Sequence, residues 1–452
     1  MQSDSPDSPR ARRGLWARAS EMAAQTPETR NRAVDFLRAL SILAVISGHW
    51  LIAAPWINAG IDGGSLTLIN LLEHEQWTRW LTWGFQVMPV FFLVGGYANC
   101  ISWESALRKG TPFGTWLHGR LQRLIGPVLP LVAAWAVLGF IAQSIGVSPN
   151  VVRIGSQVAL VPIWFLAVYT VVALLVPITY RFWQRFGFYS FWILVAAAAI
   201  NDFLFIAGGQ QWLGWLNYFF VWLAVHQLGY AWYRGEFTGP VRTAVFAVLG
   251  LMLLLLGVTV GPYPISMVSV PGEVMSNTLP PKLPMLALGL VQSGVLLTLE
   301  GPLRRWLARS VPWTATILLN GMIMTIYLWH VTASALVLGI ALLLGGIGLE
   351  VEPGTAAWWQ TRPLWLGAYT VMLLALVPLL ARFERGHAGT AQISGWRRVL
   401  GALITCLGLA LLALGGVSSA DPAGLRITAV VLPFAGAFVA GLWPASYFAR
   451  GR

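Results

Sequence analysis

Twelve apolar stretches, each long enough to cross a lipid bilayer, constrain the fold of this chain more than any other feature. A membrane-spanning helix needs ~17–25 mainly apolar residues. Such stretches occur at 33–54, 80–101, 124–143, 156–178, 188–207, 212–232, 241–262, 283–299, 313–346, 364–381, 397–416 and 427–448. The ninth is longer than one span requires, so its outer end is expected to emerge or bend near Gly345-Gly346. With 57% hydrophobic and 10% charged residues, the chain is predicted to be an all-α polytopic membrane protein with about twelve transmembrane helices.

The distribution of basic residues predicts how these spans are oriented. With the N-terminus in the cytoplasm, 23 of the 29 Lys and Arg residues fall in inner segments, five fall in outer segments, and Arg38 lies within a helix. Cytoplasmic loops of membrane proteins are enriched in Lys and Arg. We therefore expect both termini in the cytoplasm, and the net charge of +12 gives no reason to expect a nucleic-acid partner. The 27 Arg against 2 Lys are typical of a G+C-rich bacterial genome, which points to a bacterial inner membrane.

Composition divides the chain into three parts. Residues 1–31 are polar and basic, which predicts a disordered cytoplasmic tail. Residues 32–385 form the predicted membrane core, and residues 386–452 contain a small-residue linker and two additional transmembrane helices. These two helices carry no charge within the membrane and are expected to serve packing or lipid contact. Cys100 and Cys406 lie in apolar segments and predict neither a disulfide framework nor a metal site.

The first apolar stretch contains three ionisable residues, Asp35, Arg38 and His49. A charged residue at the centre of a membrane helix costs at least ~2.5–3.5 kcal/mol on insertion scales, so such residues are usually functional. Arg38 and His49 are eleven residues apart, close to three helical turns, and therefore share one face about 16 Å apart. Asp35 shares this face because it lies three residues before Arg38. This arrangement suits a reaction between a charged ligand at one level and a group deeper in the bilayer.

The segment between the second and third spans contains Trp116, Arg120 and Arg123 at a spacing that places them on one face of a short amphipathic helix. Two interpretations remain open. The arginines could anchor this helix to anionic lipid at the membrane surface. Alternatively, they could bind phosphate, because a guanidinium group matches two phosphate oxygens at once.

Four motifs, taken in order, resemble acyltransferase family 3, the membrane enzymes that include O-antigen and other O-acetylases. They are Val34-Asp-Phe-Leu-Arg-Ala-Leu40 with His49-Trp50, Pro89-Val-Phe-Phe-Leu-Val-Gly-Gly-Tyr97, Arg120-Leu-Gln-Arg123, and Ile326-Tyr-Leu-Trp-His330. The resemblance covers roughly residues 32–385 and implies a ten-helix acyltransferase core, so the last two helices are extra. The chain departs from the family at Gly95, where members often have Ser.

The resemblance implies an acyl-CoA donor, most often acetyl-CoA, that approaches from the cytoplasm, and it implies no bound cofactor or metal. The expected acceptor is a hydroxyl group of a glycan, glycolipid or small metabolite. His49, Asp35 and Arg38 are the predicted catalytic residues, and Arg38, Arg120 and Arg123 are predicted to bind acyl-CoA. Tyr327 and His330 form a candidate additional polar site.

The predicted chemistry centres on His49. A neutral imidazole can take the proton from an acceptor hydroxyl as that hydroxyl attacks the thioester. A transient acyl-imidazole is the alternative. Asp35 is expected to orient Arg38 rather than to act as a base, because Arg38 is its nearest predictable partner.

Two other functions are compatible with this span count. Twelve helices with both termini inside are also common among transporters and flippases, although such folds usually contain two repeated halves and none is evident here. A non-catalytic relative of the acyltransferases is the second alternative. Acyl transfer that depends on His49 would distinguish the enzyme from both.

Overall fold

The computed structural model describes residues 14–58, 66–237, 239–383, 393–419 and 424–442, and its architecture is almost entirely helical. The helices in these ranges are α1 (Leu15–Ala24), α2 (Arg32–Ile52), α3 (Leu71–His74), α4 (Thr82–Phe85), α5 (Met88–Arg108), α6 (Phe113–Ile125), α7 (Val128–Ser144), α8 (Pro149–Leu160), α9 (Ile163–Phe186), α10 (Phe188–Ile206), α11 (Asn217–Tyr233), α12 (Pro240–Thr259), α13 (Leu283–Thr298), α14 (Glu300–Leu307), α15 (Ser310–Asn320), α16 (Ile323–Leu343), α17 (Ala356–Leu380), α18 (Gly395–Gly415) and α19 (Ile427–Val439). Short 3₁₀ helices cover Gln76–Leu81, Gln211–Leu216 and Ala381–Phe383. Two strands, β1 (Ala53–Ile57) and β2 (Leu66–Asn70), form an antiparallel hairpin immediately after α2, with Ala53 opposite Asn70.

The helices confirm an all-α polytopic membrane protein. Within the described residues, nine helical segments are long and apolar enough to span a bilayer, or ten if the bent pair α13–α14 counts as one span. Two of the twelve predicted spans correspond to shorter helices, the 17-residue α11 and the 13-residue α19. The total of twelve therefore stays a prediction.

The chain before α2 differs in part from the predicted disordered tail. Residues 1–13 lie outside the described residues, but Leu15–Ala24 forms the helix α1. Ala19 and Ala23, one turn apart, are its buried residues, and α1 packs against α15. The indole nitrogen of Trp313 in α15 donates a hydrogen bond to Thr26, which fixes the end of this helix. Small side chains on one helix face allow this close approach, a local pattern that overall composition does not reveal.

The ninth apolar stretch consists of two helices rather than one. Helix α15 ends at Asn320, and α16 begins at Ile323 after a break at Gly321-Met322. The predicted end of this stretch near Gly345-Gly346 is confirmed. Helix α16 ends at Leu343, and Gly345 and Gly346 have φ values of 84° and 83°. The unexpected break places the Asn320 side chain against α2, as described below.

The centre of the bundle is the close crossing of α5 and α11, whose buried faces are largely apolar. A Cβ atom on Gly96 would overlap the carbonyl oxygen of His226, and one on Gly229 would overlap that of Leu93. Backbone contact at this distance requires glycine on both helices. The crossing holds α11 in the interior despite its short length.

The C-terminal pair α18–α19 packs onto the core. Helix α18 contacts α6, α8 and α9, while α19 contacts α18 and α7. The buried Arg398 of α18 donates a hydrogen bond to the carbonyl oxygen of Gly114 in the first turn of α6. The pair therefore supports the helix that carries Arg120 and Arg123. Residues 384–392 and 443–452 of the predicted linker and last span lie outside the described residues.

Candidate functional site

Asp35 is the centre of an ion-pair cluster at the start of α2. The Asn31 side chain caps this helix by accepting a hydrogen bond from the backbone N–H of Ala33 at 3.1 Å. Arg30 donates from Nε to Oδ2 of Asp35 at 2.6 Å, and Arg38 donates from Nη2 to Oδ1. Both carboxylate oxygens thus bind a guanidinium, and the bond to Asp35 raises the pKa of Arg30. This geometry suits an orienting group and leaves Asp35 poorly placed to act as a base.

Arg38 has a second partner that the sequence patterns do not indicate. Its Nε donates to Oδ1 of Asn320 at 2.9 Å, while Nδ2 of Asn320 donates to the backbone carbonyl of Asp35 at 3.0 Å. The Arg38 side chain keeps 39% of its surface exposed, so an anion can still reach it. An amide at the end of the apolar run Ile317–Leu319 is the sequence signal that could have identified Asn320, because a polar side chain placed among apolar ones needs a partner.

Arg120 turns inward from α6. Its Nη2 donates to the carbonyl oxygen of Ala98 in α5 at 2.9 Å. Its charge interacts with the charges of Arg38 and Arg123 and with the Tyr169 hydroxyl, so the three predicted arginines form one cationic cluster. Within the described part of the chain, Arg38 pairs with Asp35, and neither Arg120 nor Arg123 has a carboxylate partner. Such a cluster favours an anionic ligand with several charged oxygens.

His49 and His330 meet further along α2. Nδ1 of His49 lies 2.9 Å from Nε2 of His330, and the two rings stack with centroids 5.1 Å apart. His330 is fully buried and His49 is half-buried, so the His49 ring meets the protein interior through its Nδ1 edge and keeps part of its surface accessible. The neighbouring Trp50 donates from its indole nitrogen to the backbone carbonyl of His330 at 3.0 Å. Helices α2 and α16 are thus tied together at the histidine pair.

Tyr327 contributes to the pair through its backbone. Its carbonyl oxygen lies 2.6 Å from Nδ1 of His330, whereas its hydroxyl donates to the carbonyl of Pro162 at 2.8 Å. The candidate additional polar site therefore consists of His330 in direct contact with His49, with the Tyr327 hydroxyl engaged elsewhere.

Aromatic rings connect the arginine cluster to the histidine pair. Tyr169, which interacts with Arg120, lies 5.6 Å from Phe165, and Phe165 lies 6.1 Å from Tyr327 between ring centroids. Tyr169 also explains the glycine at position 95, because a Cβ atom there would lie 2.6 Å from the Tyr169 ring. The space that a serine would need is occupied by this phenol.

Within the described residues, no group of three or more His, Cys, Asp or Glu side chains could hold a metal ion. The polar groups described above are an imidazole pair, a cationic cluster and an ion-paired carboxylate. On this fold, a cluster of positive charge and an imidazole pair lie at two levels of one helix of a membrane protein.

Comparison with known proteins gives the family. The chain matches the family model described as an acyltransferase domain, that of acyltransferase family 3, over residues 31–382. It therefore belongs to this family, as the four motifs predict, and is a membrane acyltransferase. Neither the curated proteins nor the solved structures include a significant match.

Proposed function

We propose that this protein transfers an acetyl group from cytoplasmic acetyl-CoA to a hydroxyl group of a cell-envelope glycan, a glycolipid or a small metabolite. One observation carries this proposal. Helix α2 holds Arg38 within a cluster of three arginines and, eleven residues later, places the half-buried His49 against the buried His330. The two sites lie about 16 Å apart along the helix. Acyl-CoA matches this arrangement, because its negatively charged phosphates lie at one end and its thioester lies at the end of an extended arm.

The arginine cluster binds the phosphates of the donor in this proposal. Arg120, held by the Ala98 carbonyl, and Arg38, held by Asp35 and Asn320, present guanidinium groups whose orientation is set before the ligand arrives. Fixed donors lose less entropy when they bind a ligand than mobile ones do. Arg123 is exposed and adds charge at the entrance.

His49 acts as the general base. It accepts the proton of the acceptor hydroxyl while that oxygen attacks the thioester carbonyl, and the resulting tetrahedral intermediate expels the CoA thiolate. The proton then passes from His49 to the thiolate, giving the acyl ester and free CoA. In the alternative course the imidazole attacks first, and an acyl-imidazole passes its acyl group to the acceptor.

The proposed location is a bacterial inner membrane with both termini in the cytoplasm. The distribution of basic residues supports this orientation, which places the arginine cluster towards the cytoplasmic supply of acyl-CoA. It also places His49 towards the opposite side, where envelope acceptors are assembled.

The test uses the full chain reconstituted in liposomes with radiolabelled acetyl-CoA and extracted envelope glycan and lipid fractions. Labelled ester in an acceptor fraction, together with release of free CoA thiol, is the expected result. His49→Ala should abolish both, whereas Ser47→Ala, on the same helix, should not affect them, because the Ser47 hydroxyl donates to the Leu43 carbonyl of its own helix. Transfer at the wild-type rate by His49→Ala would exclude the proposed mechanism. Movement of a glycolipid across the bilayer without ester formation would instead support the flippase alternative.

A further inference from the structure

The histidine pair is part of a longer hydrogen-bonded chain with a defined direction. It runs from the Tyr327 carbonyl to Nδ1 of His330 over 2.6 Å, and from Nε2 of His330 to Nδ1 of His49 over 2.9 Å. Every nitrogen in this chain except Nε2 of His49 has a partner within it. The position of each proton in this series of hydrogen bonds follows from the bond between the Tyr327 carbonyl and Nδ1 of His330.

A carbonyl oxygen can only accept a hydrogen bond, so Nδ1 of His330 must carry a proton. A neutral imidazole has a single N–H, which leaves Nε2 of His330 as an acceptor. Nδ1 of His49 must then be the donor, and the lone pair of His49 lies on Nε2.

A doubly protonated His330 would reverse this direction, but its surroundings oppose that state. His330 has no exposed surface, and within the described residues it forms no ion pair with a carboxylate. An isolated charge in such a site costs far more than a neutral group with satisfied hydrogen bonds. The neutral form therefore defines the resting state.

We propose that His330 is a positioning residue that holds His49 in the tautomer whose Nε2 is the base, by accepting the hydrogen bond from Nδ1 of His49. This inference rests on the proposed function. When Nε2 of His49 takes the hydroxyl proton, His49 becomes an imidazolium whose Nδ1–H points at Nε2 of His330. His330 stays neutral, and its Nε2 accepts this hydrogen bond, which strengthens once the donor is charged. The proton on Nε2 of His49 then passes to the CoA thiolate, which restores the neutral pair.

A purely structural role for His330 is the competing explanation. The link between α2 and α16 is already provided by Trp50, whose indole donates to the His330 backbone carbonyl. That bond does not require the His330 side chain. Substitutions at Trp50 and at the His330 ring therefore separate helix attachment from control of His49.

The first experiment reads the tautomer directly and needs no activity. The full chain, with all six histidines ¹⁵N-labelled, is reconstituted in liposomes and compared with His49→Ala by solid-state NMR near neutral pH. The signals lost in the variant should show a protonated Nδ1 and an unprotonated Nε2 for His49. A protonated Nε2 on neutral His49 would overturn the proposal, whether or not the protein transfers acyl groups.

The second experiment measures acetyl transfer. His330→Phe removes the acceptor for His49 Nδ1–H, and kcat should fall about 100-fold, the scale of general-base catalysis, with little change in the donor KM. His330→Gln places an amide oxygen near the position of Nε2 and should recover at least about tenfold of that loss. Trp50→Phe should reduce the amount of folded protein more than kcat.

The outcomes separate this inference from the proposed function. Loss of transfer in His49→Ala with wild-type kcat in His330→Phe would overturn the inference and leave the function standing. Equal losses in His330→Phe and His330→Gln, accompanied by equal losses of folded protein, would also overturn it in favour of a structural role. Failure of the wild-type protein to form any ester would reject the function, while the NMR result would still decide the tautomer.

Discussion

Arg38 of α2 and Asn320 of α15 are 282 residues apart in sequence, yet Nε of Arg38 donates a hydrogen bond to Oδ1 of Asn320 over 2.9 Å. The same amide donates through Nδ2 to the Asp35 carbonyl and the Thr316 carbonyl, so its orientation is fixed at both ends. Asp35 and Asn320 together therefore determine where the Arg38 guanidinium points. This relationship makes Asn320 a candidate determinant of donor affinity.

Asn320→Leu should raise the donor KM about tenfold, because a hydrogen bond to a charged group contributes roughly 1.5–3 kcal/mol. Steady-state kinetics with acetyl-CoA measure this change. The matched control is Asn150→Leu, which removes an asparagine that binds Arg153 at 2.8 Å, away from this site. Equal KM values for the two variants would show that Asn320 does not position Arg38.

Asp35→Asn should weaken donor binding while retaining much of kcat. The neutral amide can accept from only one of the two guanidiniums that now share the carboxylate, so Arg38 and Arg30 lose orientation. We expect a donor KM about 10-fold higher and a kcat within about 10-fold of wild type, given the energy of charged hydrogen bonds. Abolished kcat with an unchanged KM, matching His49→Ala, would instead identify Asp35 as the base.

Arg120→Ala should raise the donor KM more than Arg123→Ala, because Arg120 is held in place by the Ala98 carbonyl while Arg123 is exposed. The KM of the wild-type protein should also rise with ionic strength, most steeply while both arginines are present. Arg185→Ala, an exposed arginine on α9, serves as the control and should leave KM unchanged. A loss of protein from the membrane, without any change in KM, would favour the lipid-anchor interpretation of this helix.

The sequence predicts features that depend on local periodicity and misses those that depend on packing. Arg38 and His49 share a face because helical geometry alone places them there. The contact between His49 and His330 joins residues 281 positions apart, and no local pattern specifies which helices become neighbours. The role of Asn320 is not evident from the sequence for a related reason. The break between α15 and α16 places its amide against α2, and this break falls within an otherwise continuous apolar run.

Gly96→Ala should destabilise the bundle, because the added methyl group would overlap the His226 carbonyl where α5 crosses α11. Overpacking of this kind costs typically about 1–3 kcal/mol. Gly155→Ala in α8 is the matched control, since its Cβ atom would meet no atom of the described residues within 4 Å. Thermal unfolding in detergent, followed by size-exclusion chromatography, should show a lower midpoint only for Gly96→Ala. Identical midpoints would mean that α5 and α11 move apart to accept the methyl group without loss of stability.

Arg398→Met should affect both stability and donor binding, although it lies in the C-terminal pair outside the matched family domain. Its guanidinium donates to the Gly114 carbonyl, and loss of a charged hydrogen bond in a buried position costs roughly 1.5–3 kcal/mol. Because Gly114 lies six residues before Arg120 on α6, release of that helix end should also raise the donor KM. The exposed neighbour Arg397→Met is the matched control and should change neither quantity. Thermal unfolding and acetyl-CoA kinetics are measured on both variants. Indistinguishable results would show that the contact between Arg398 and Gly114 contributes neither to stability nor to donor binding.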